Sequence, residues 1–334
     1  MTSTIADSRA AALHGWLATT LRTPEFALAP ASADASFRRY FRVTVAQSTA
    51  LTSGPASLIA MDAPPPQENC RPFVQVAEML VNAGVHAPRV LAQDLAAGFL
   101  LLSDLGHETY LDCLGTDNAD ALYGDALAAL VRMQQEIDAS ALPAYDAALL
   151  RRELDLFPDW YVARHRQRSL DAKETSVLQQ AFALLLANNL AQPCVFVHRD
   201  YHSRNLMVST PNPGVLDFQD AVHGPITYDL VSLLRDAYIA WDAEQEQRWA
   251  ALYWERARAA HLPVAENFAD FWRDLDWMGA QRQLKVLGIF ARLSHRDGKH
   301  GYVDDMPRVM AYLRSTCARY AELAPLGHLL ESLL

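Results

Sequence analysis

Apolar residues at Leu13, Trp16, Leu17 and Leu21 share one face of a 3.6-residue period and predict a helix over residues 5–21. From about 26 to 103 the pattern shortens. Residues 40–45 alternate, and 58–61 form an apolar run that stops at Pro64, Pro65 and Pro66. A helical stripe over 72–83 ends near Gly84, and two further strands, 89–95 and 99–102, meet near Gly98. After Gly106 the periodicity turns helical, with helices expected at 118–138, 146–168, 171–190, 226–240, 243–260, 267–295 and 305–321. Two short strands, 194–197 and 214–218, interrupt them. A sheet-rich first third and a helix-rich remainder predict an α+β chain of two lobes, 1–104 and 105–334, hinged at 103–106, with a cleft suited to a ligand.

Composition narrows the classes. With 334 residues, 51% of them hydrophobic, the chain can bury a large core, which excludes wholesale disorder. A net charge of −10 does not favour nucleic acid or an anionic membrane as partner. No apolar stretch approaches the ~18 residues of a membrane span. Residues 1–16 lack the basic start and apolar run of a secretory leader. Cys70, Cys113, Cys194 and Cys317 form no paired motif, so reduced thiols in a cytoplasmic protein are expected, as a monomer or weak homo-oligomer.

The chemistry gathers in residues 195–208, VFVHRDYHSRNLMV, and 214–220, GVLDFQD. His198, Arg199 and Asp200 follow a strand, Asn205 lies five residues past Asp200, and Asp217 closes the next strand. Phosphoryl transfer from ATP needs these types in this order. One carboxylate, Asp200, accepts the proton of the attacking hydroxyl. A carboxamide and a second carboxylate, Asn205 and Asp217, offer hard oxygens to Mg2+. A strand, a tight loop and a returning strand would bring the three together. Ser294 to Asp297 repeats the His-Arg-Asp triplet, but after a helical stripe and with Tyr302 where an Asn would stand. It reads as a helix C-terminus stopped by Gly298, or as a wall of an acceptor pocket.

With these motifs the chain resembles the aminoglycoside phosphotransferase/choline kinase-like family of small-molecule kinases. Residues 198–205 resemble its catalytic loop, Asp217 to Asp220 its metal-binding segment, and Gly224, Pro225 and Tyr228 to Leu230 its next motif, in which Asp229 would tether the loop. The resemblance implies a protein-kinase-like two-lobe fold with a small sheet-rich N-lobe and a larger helical C-lobe. It implies ATP and Mg2+ as cofactors, and adenine bonded near Ser103, Asp104 and Leu105. Segments 36–42, 61–73, 198–208, 216–236 and 289–302 are similar to the anomeric amino-sugar kinases of peptidoglycan recycling. That implies an amino-sugar acceptor such as N-acetylmuramate or N-acetylglucosamine. An aminoglycoside, choline or another small alcohol stays open, as does a nucleotide-binding pseudokinase scaffold.

The chain departs from the kinase pattern in its first lobe. Only three lysines exist, Lys173, Lys285 and Lys299, and Met61 stands where a third-strand lysine would grip the phosphates. Residues 31–42 contain no glycine. Arg38, Arg39 and Arg42, beside Ser36 and Phe37, are expected to replace the lysine, since arginine binds phosphate bidentately and stays charged. Glu78 is the expected helix partner for such a cation, with Glu68 as the other candidate. His202, Arg204, Asp220, Arg292 and His295 are candidates for acceptor contacts, each also readable as ordinary structure. Trp241, Trp249, Tyr253 and Trp254 follow helical spacing and read as core, whereas Phe271, Trp272, Trp277 and Phe290 are placed on a helix that would face the acceptor.

Overall fold

The structure, a computed structural model, describes residues 2–33 and 37–333, and the side chains of all but 1–7, 32–36 and 334. By packing the chain forms two units, one of residues 1–107 and 207–220, the other of 108–206 and 221–334.

The first unit opens with α1 (Thr2–Leu21), followed by β1 (Ala27–Ala33), β2 (Arg39–Val45), β3 (Ala56–Asp62), α2 (Arg71–Asn82), β4 (Val90–Asp94) and β5 (Phe99–Ser103). The strands make one antiparallel sheet in the order β1-β2-β3-β5-β4. The predicted stripe of α1 is its reason for packing. Leu13, Leu17 and Leu21 are fully buried against Val43, Val45, Leu58, Ala60, Phe99 and Leu101. Gly98 joins β4 to β5 at φ 75°, and a Cβ there would lie 2.0 Å from the carbonyl oxygen of Ala63, so only glycine fits.

The helical unit contains α3 (Tyr110–Cys113), α4 (Ala119–Glu136), α5 (Ala147–Leu156), a π-helical stretch (Phe157–His165) and α6 (Ala172–Ala191). After β6 (Cys194–Val197), the chain passes through β7 (Leu206–Met207) and β8 (Gly214–Val215), which pair with each other, and returns as β9 (Val222–Pro225). Then come α7 (Tyr228–Leu234), α8 (Ala243–Ala259), α9 (Phe268–Asp297), α10 (Met306–Arg319) and α11 (Ala324–Ser332). α9 is the axis of the core, which it shares with α5, α6, α10 and α11. Residues 275–288 of α9 are buried all round, so even Gln281, Arg282, Gln283 and Lys285 lie inside.

Several expectations are corrected. The strand expected at 214–218 is only Gly214–Val215, and it pairs with β7, whereas β6 pairs with β9, Val197 opposite Val222. Asp217, at φ 61°, has left the extended conformation. The helix expected over 226–240 stops at Leu234, because the Asp236 carboxylate accepts the amide of Tyr238 (3.0 Å) and turns the chain. The helix expected over 146–168 gives way to the π-helical stretch at Phe157. α11 was not expected, although Pro325 sits in its first turn, where proline costs no hydrogen bond. The repeated triplet does end a helix: Gly298 caps α9 at φ 68°.

Candidate active site

The helical unit builds its loop around two buried acids. Asp229, in the first turn of α7, accepts the amides of His198 (2.6 Å) and Arg199 (2.9 Å). Burial pushes its carboxyl up to about 7, against those two hydrogen bonds. Asp236 accepts the amide and hydroxyl of Ser203 at 2.9 and 2.5 Å. Arg199 is held at φ 77°, an uncommon conformation for a residue other than glycine that persists where its surroundings dictate it. Between these anchors the amide of Asp200 donates to His198 Nδ1 (3.2 Å), and the carboxamide of Asn205 donates to the carbonyl of Asp200 (2.9 Å).

Behind the loop lies a charged cluster that sequence reading did not find. Lys285 of α9 donates to the Tyr228 hydroxyl at 2.8 Å and lies 3.0 Å from Glu153. Glu153 also holds Arg199 (2.6 Å) and the hydroxyl of Tyr145. Burial works against every charge here, but the partners prevail. Lys285 and Arg199 hold Glu153 below its ordinary value, and Glu153 and Tyr228 hold Lys285 above its own. Burial also opposes ionisation of Asp200, yet Lys285, His202, His198 and Arg199 hold its carboxyl below the usual range. A carboxylate so held is ionised at neutral pH and ready to accept a proton. The one available signal for Lys285 was its rarity in a chain of three lysines, on a helix turn with no polar face.

Four of the acceptor candidates lie in this unit. His202 packs edge-on against Tyr238 at 5.5 Å, and its buried Nδ1 has no hydrogen-bond partner. The guanidinium of Arg204 lies over the Tyr238 ring, 3.6 Å from the centroid. Arg292 is half-buried, with its Nε unpartnered. His295 is exposed and meets His165 at 3.3 Å. Trp249 and Tyr253 are buried as core, with Trp241 and Trp254 half-buried, and Phe271, Trp277 and Phe290 are buried too.

In the sheet unit the expected arginines separate into different jobs. Arg39 binds the buried Asp62 of β3, which also holds Arg9 at 2.6 Å. Arg42 grips both oxygens of Asp104 (2.7 and 3.1 Å), the carbonyl of Gly106 (2.6 Å) and His107. Asp104 also accepts from Ser57 (2.5 Å) and the Gly106 amide (3.0 Å). Arg38 alone of the three reaches Asp217, at 3.7 Å. Asp217 further accepts from the carboxamide of Gln219 at 2.9 Å, and Phe218 packs tilted against Phe73 of α2, ring centroids 4.8 Å apart, fixing the segment to this unit. Met61 is buried opposite Leu100 and Tyr40 and offers no polar group. Glu78 is exposed on α2 and makes no ion pair among the described residues, whereas Glu68 accepts the amide of the exposed Phe37 at 3.1 Å. Ser103 accepts the Arg89 amide (2.9 Å), Leu105 is buried, and Asp220 is exposed. Ser36 lies outside the described residues.

Residues 27–262 match the profile of the phosphotransferase enzyme family. The N-acetylmuramate/N-acetylglucosamine kinase of Pseudomonas aeruginosa is 52% identical over 337 residues, covering 98% of this chain and 97% of its own. The kinase of the same name from Neisseria meningitidis is 46% identical, covering 96% and 95%. Among solved structures, a choline/ethanolamine kinase family protein from Mesorhizobium loti aligns with a TM-score of 0.63 at 13% identity, over 97% of this chain and 99% of that one. An ADP-bound aminoglycoside phosphotransferase aligns at 0.57 and 15% identity, over 92% and 98%. The fold is therefore kinase-like, with a sheet-rich N-terminal part and a mostly helical C-terminal part. No helix among the described residues is long and apolar enough to cross a membrane.

Proposed function

This chain belongs to the phosphotransferase enzyme family, and we propose that it transfers the γ-phosphoryl group of ATP to the anomeric hydroxyl of an amino sugar, N-acetylmuramate or N-acetylglucosamine. The carrying observation is the setting of Asp200: a half-buried carboxylate held below its usual range by Lys285 and its neighbours, in a loop pinned by Asp229 and Asp236. Such a group takes a proton from a sugar hydroxyl as that oxygen attacks phosphorus.

Mg2+ fits the donors available. Asn205, whose amide nitrogen donates to the Asp200 carbonyl, would offer a carboxamide oxygen, and Asp217, to which Gln219 donates, would offer a carboxylate. Among the described residues no cluster of three His, Cys, Asp or Glu makes a metal cage, which suits an ion that takes part of its shell from phosphates and water. When bound, Mg2+ neutralises charge on the phosphates. Arg38 contributes fixed positive charge beside Asp217, the role a third-strand lysine has in other kinases. Asp229 and Asp236 hold the loop in shape, and Lys285 keeps Asp200 charged.

The test is an acceptor panel with ATP and Mg2+, the phosphorylated position read by phosphorus NMR. A glycosyl 1-phosphate from either amino sugar is expected. Turnover confined to choline or an aminoglycoside, or none at all, overturns the reading.

A further inference from the structure

Muramate differs from glucosamine by a lactyl ether that carries a carboxylate. We propose that Arg204, stacked on Tyr238 and backed by Arg282, binds the acceptor's carboxylate and sets the preference for the acidic sugar over the neutral one. This rests on the amino-sugar reading above and adds the group that tells the two sugars apart.

Three observations carry it. First, Arg204 is exposed, yet its guanidinium carbon lies over the Tyr238 ring, 3.6 Å from the centroid, and among the described residues no carboxylate lies within ion-pair distance of it. A stacked guanidinium keeps its N–H edge directed outward in the plane, the geometry that receives a carboxylate bidentately.

Second, Arg282 of α9 is only 6% exposed, and its one hydrogen bond is a long contact, 3.5 Å, to the carbonyl of Arg235. It too has no ion pair among the described residues. A buried guanidinium without a paired carboxylate is costly, and the cost falls when a ligand brings an anion to it. Tyr238 touches both His202 and Arg204, and the charges of Arg204 and Arg282 both act on His202 and on Tyr238.

Third, the acids nearby are already engaged. Asp236 accepts from the Ser203 amide and hydroxyl and from the Tyr238 amide. Asp229 accepts from the His198 and Arg199 amides. Asp200 is the base for the attacking hydroxyl. It lies four residues before Arg204 in the chain, on the other side of the tight turn Ser203–Asn205. The unpartnered Nδ1 of His202 lines the same place as a further polar contact.

The experiment compares the parent with Arg204→Met and Arg204→Lys on three acceptors: N-acetylmuramate, its carboxamide and N-acetylglucosamine, with the KM for ATP measured alongside. Loss of a charge-assisted pair should lower kcat/KM for the acid at least about tenfold more than for either neutral acceptor in Arg204→Met. The parent's preference for acid over carboxamide should disappear with it, and Arg204→Lys should recover part of that preference. Melting curves of both variants check that the fold is kept. An unchanged acid-to-neutral ratio overturns the inference while leaving the amino-sugar reading intact. A loss that falls on the KM for ATP overturns it as well, by placing Arg204 on the nucleotide. A parent that phosphorylates neither sugar overturns both.

Discussion

Lys285 lies 3.0 Å from Glu153 inside the helical unit, and both are held charged against their burial. Glu153 has further partners in Arg199 and Tyr145, but Lys285 is also the leading positive influence on Asp200. Lys285→Met therefore acts twice. Breaking a buried pair from one side costs about 3–5 kcal/mol. The Asp200 carboxyl also loses its strongest support, so the acid limb of kcat should move to higher pH. A variant with parental melting temperature and parental pH profile would refute this role. The parent's stability should be flat through neutrality. Glu153 sits below its usual 4.5, so its contribution is full above that value and fades as pH falls through the lower folded one. Lys285 sits above its usual 10.5, so its contribution is full below that value and fades as pH rises through the higher folded one.

Asp200→Asn keeps the shape and the backbone bonds to His198 and Asn205 but removes the base. Turnover should fall by about 10² to 10⁴, with melting temperature close to the parent's. Near-normal turnover in the purified variant would take Asp200 out of that role.

The three arginines of the sheet unit should separate under mutation. Arg39→Ala leaves Asp62 with Arg9 alone, and Arg42→Ala releases Asp104, Gly106 and His107, so both should lower the melting temperature. Arg38 is the one near Asp217, so Arg38→Ala should raise the KM for ATP by about tenfold, the scale of a charge-assisted contact, and move the acceptor KM less. Equal ATP kinetics in all three would mean that the phosphate grip lies elsewhere.

Asp217→Ala should abolish activity or sharply raise the Mg2+ requirement, because a hard anionic ligand is lost, and Asn205→Ala should do so more mildly. Asp217→Asn keeps a residue type that tolerates φ 61° and should fold better than the alanine variant while still needing more Mg2+. Unchanged Mg2+ titrations in Asp217→Ala and Asn205→Ala would remove both residues from the metal site.

What could be read in the sequence was what repeats or has fixed spacing. The α1 stripe of Leu13, Leu17 and Leu21 and the Gly298 stop are set by local periodicity and backbone freedom, and both stand in the structure. Asp200 and Asn205 were legible because one short loop fixes their separation. The pairing of β6 with β9 was not, because strand partners across an intervening segment leave no local signal. Nor was the division of labour among Arg38, Arg39 and Arg42. It depends on where Asp62, Asp104 and Asp217 come to rest, and alternation along β2 says only which faces Arg39 and Arg42 take. Lys285 and Glu153 meet across 132 positions, a tertiary pairing with no spacing rule.

Gly288 tests how closely α9 is seated against α5. A Cβ at this position would lie 2.5 Å from the carbonyl carbon, the carbonyl oxygen and the Cβ of Leu156, where α5 passes into the π-helical stretch. Two effects oppose each other in Gly288→Ala. Helix propensity favours alanine by about 1 kcal/mol. Overpacking typically costs about 1–3 kcal/mol, and here the obstruction is largely backbone, which cannot rotate away as the end of a side chain can. The steric cost should win, lowering the melting temperature by several degrees. Lys285, one turn before Gly288 on the same helix, would shift with any displacement of α9, so kcat should fall as well. Alanine tolerated with a raised melting temperature would show that the two helices have room to move apart.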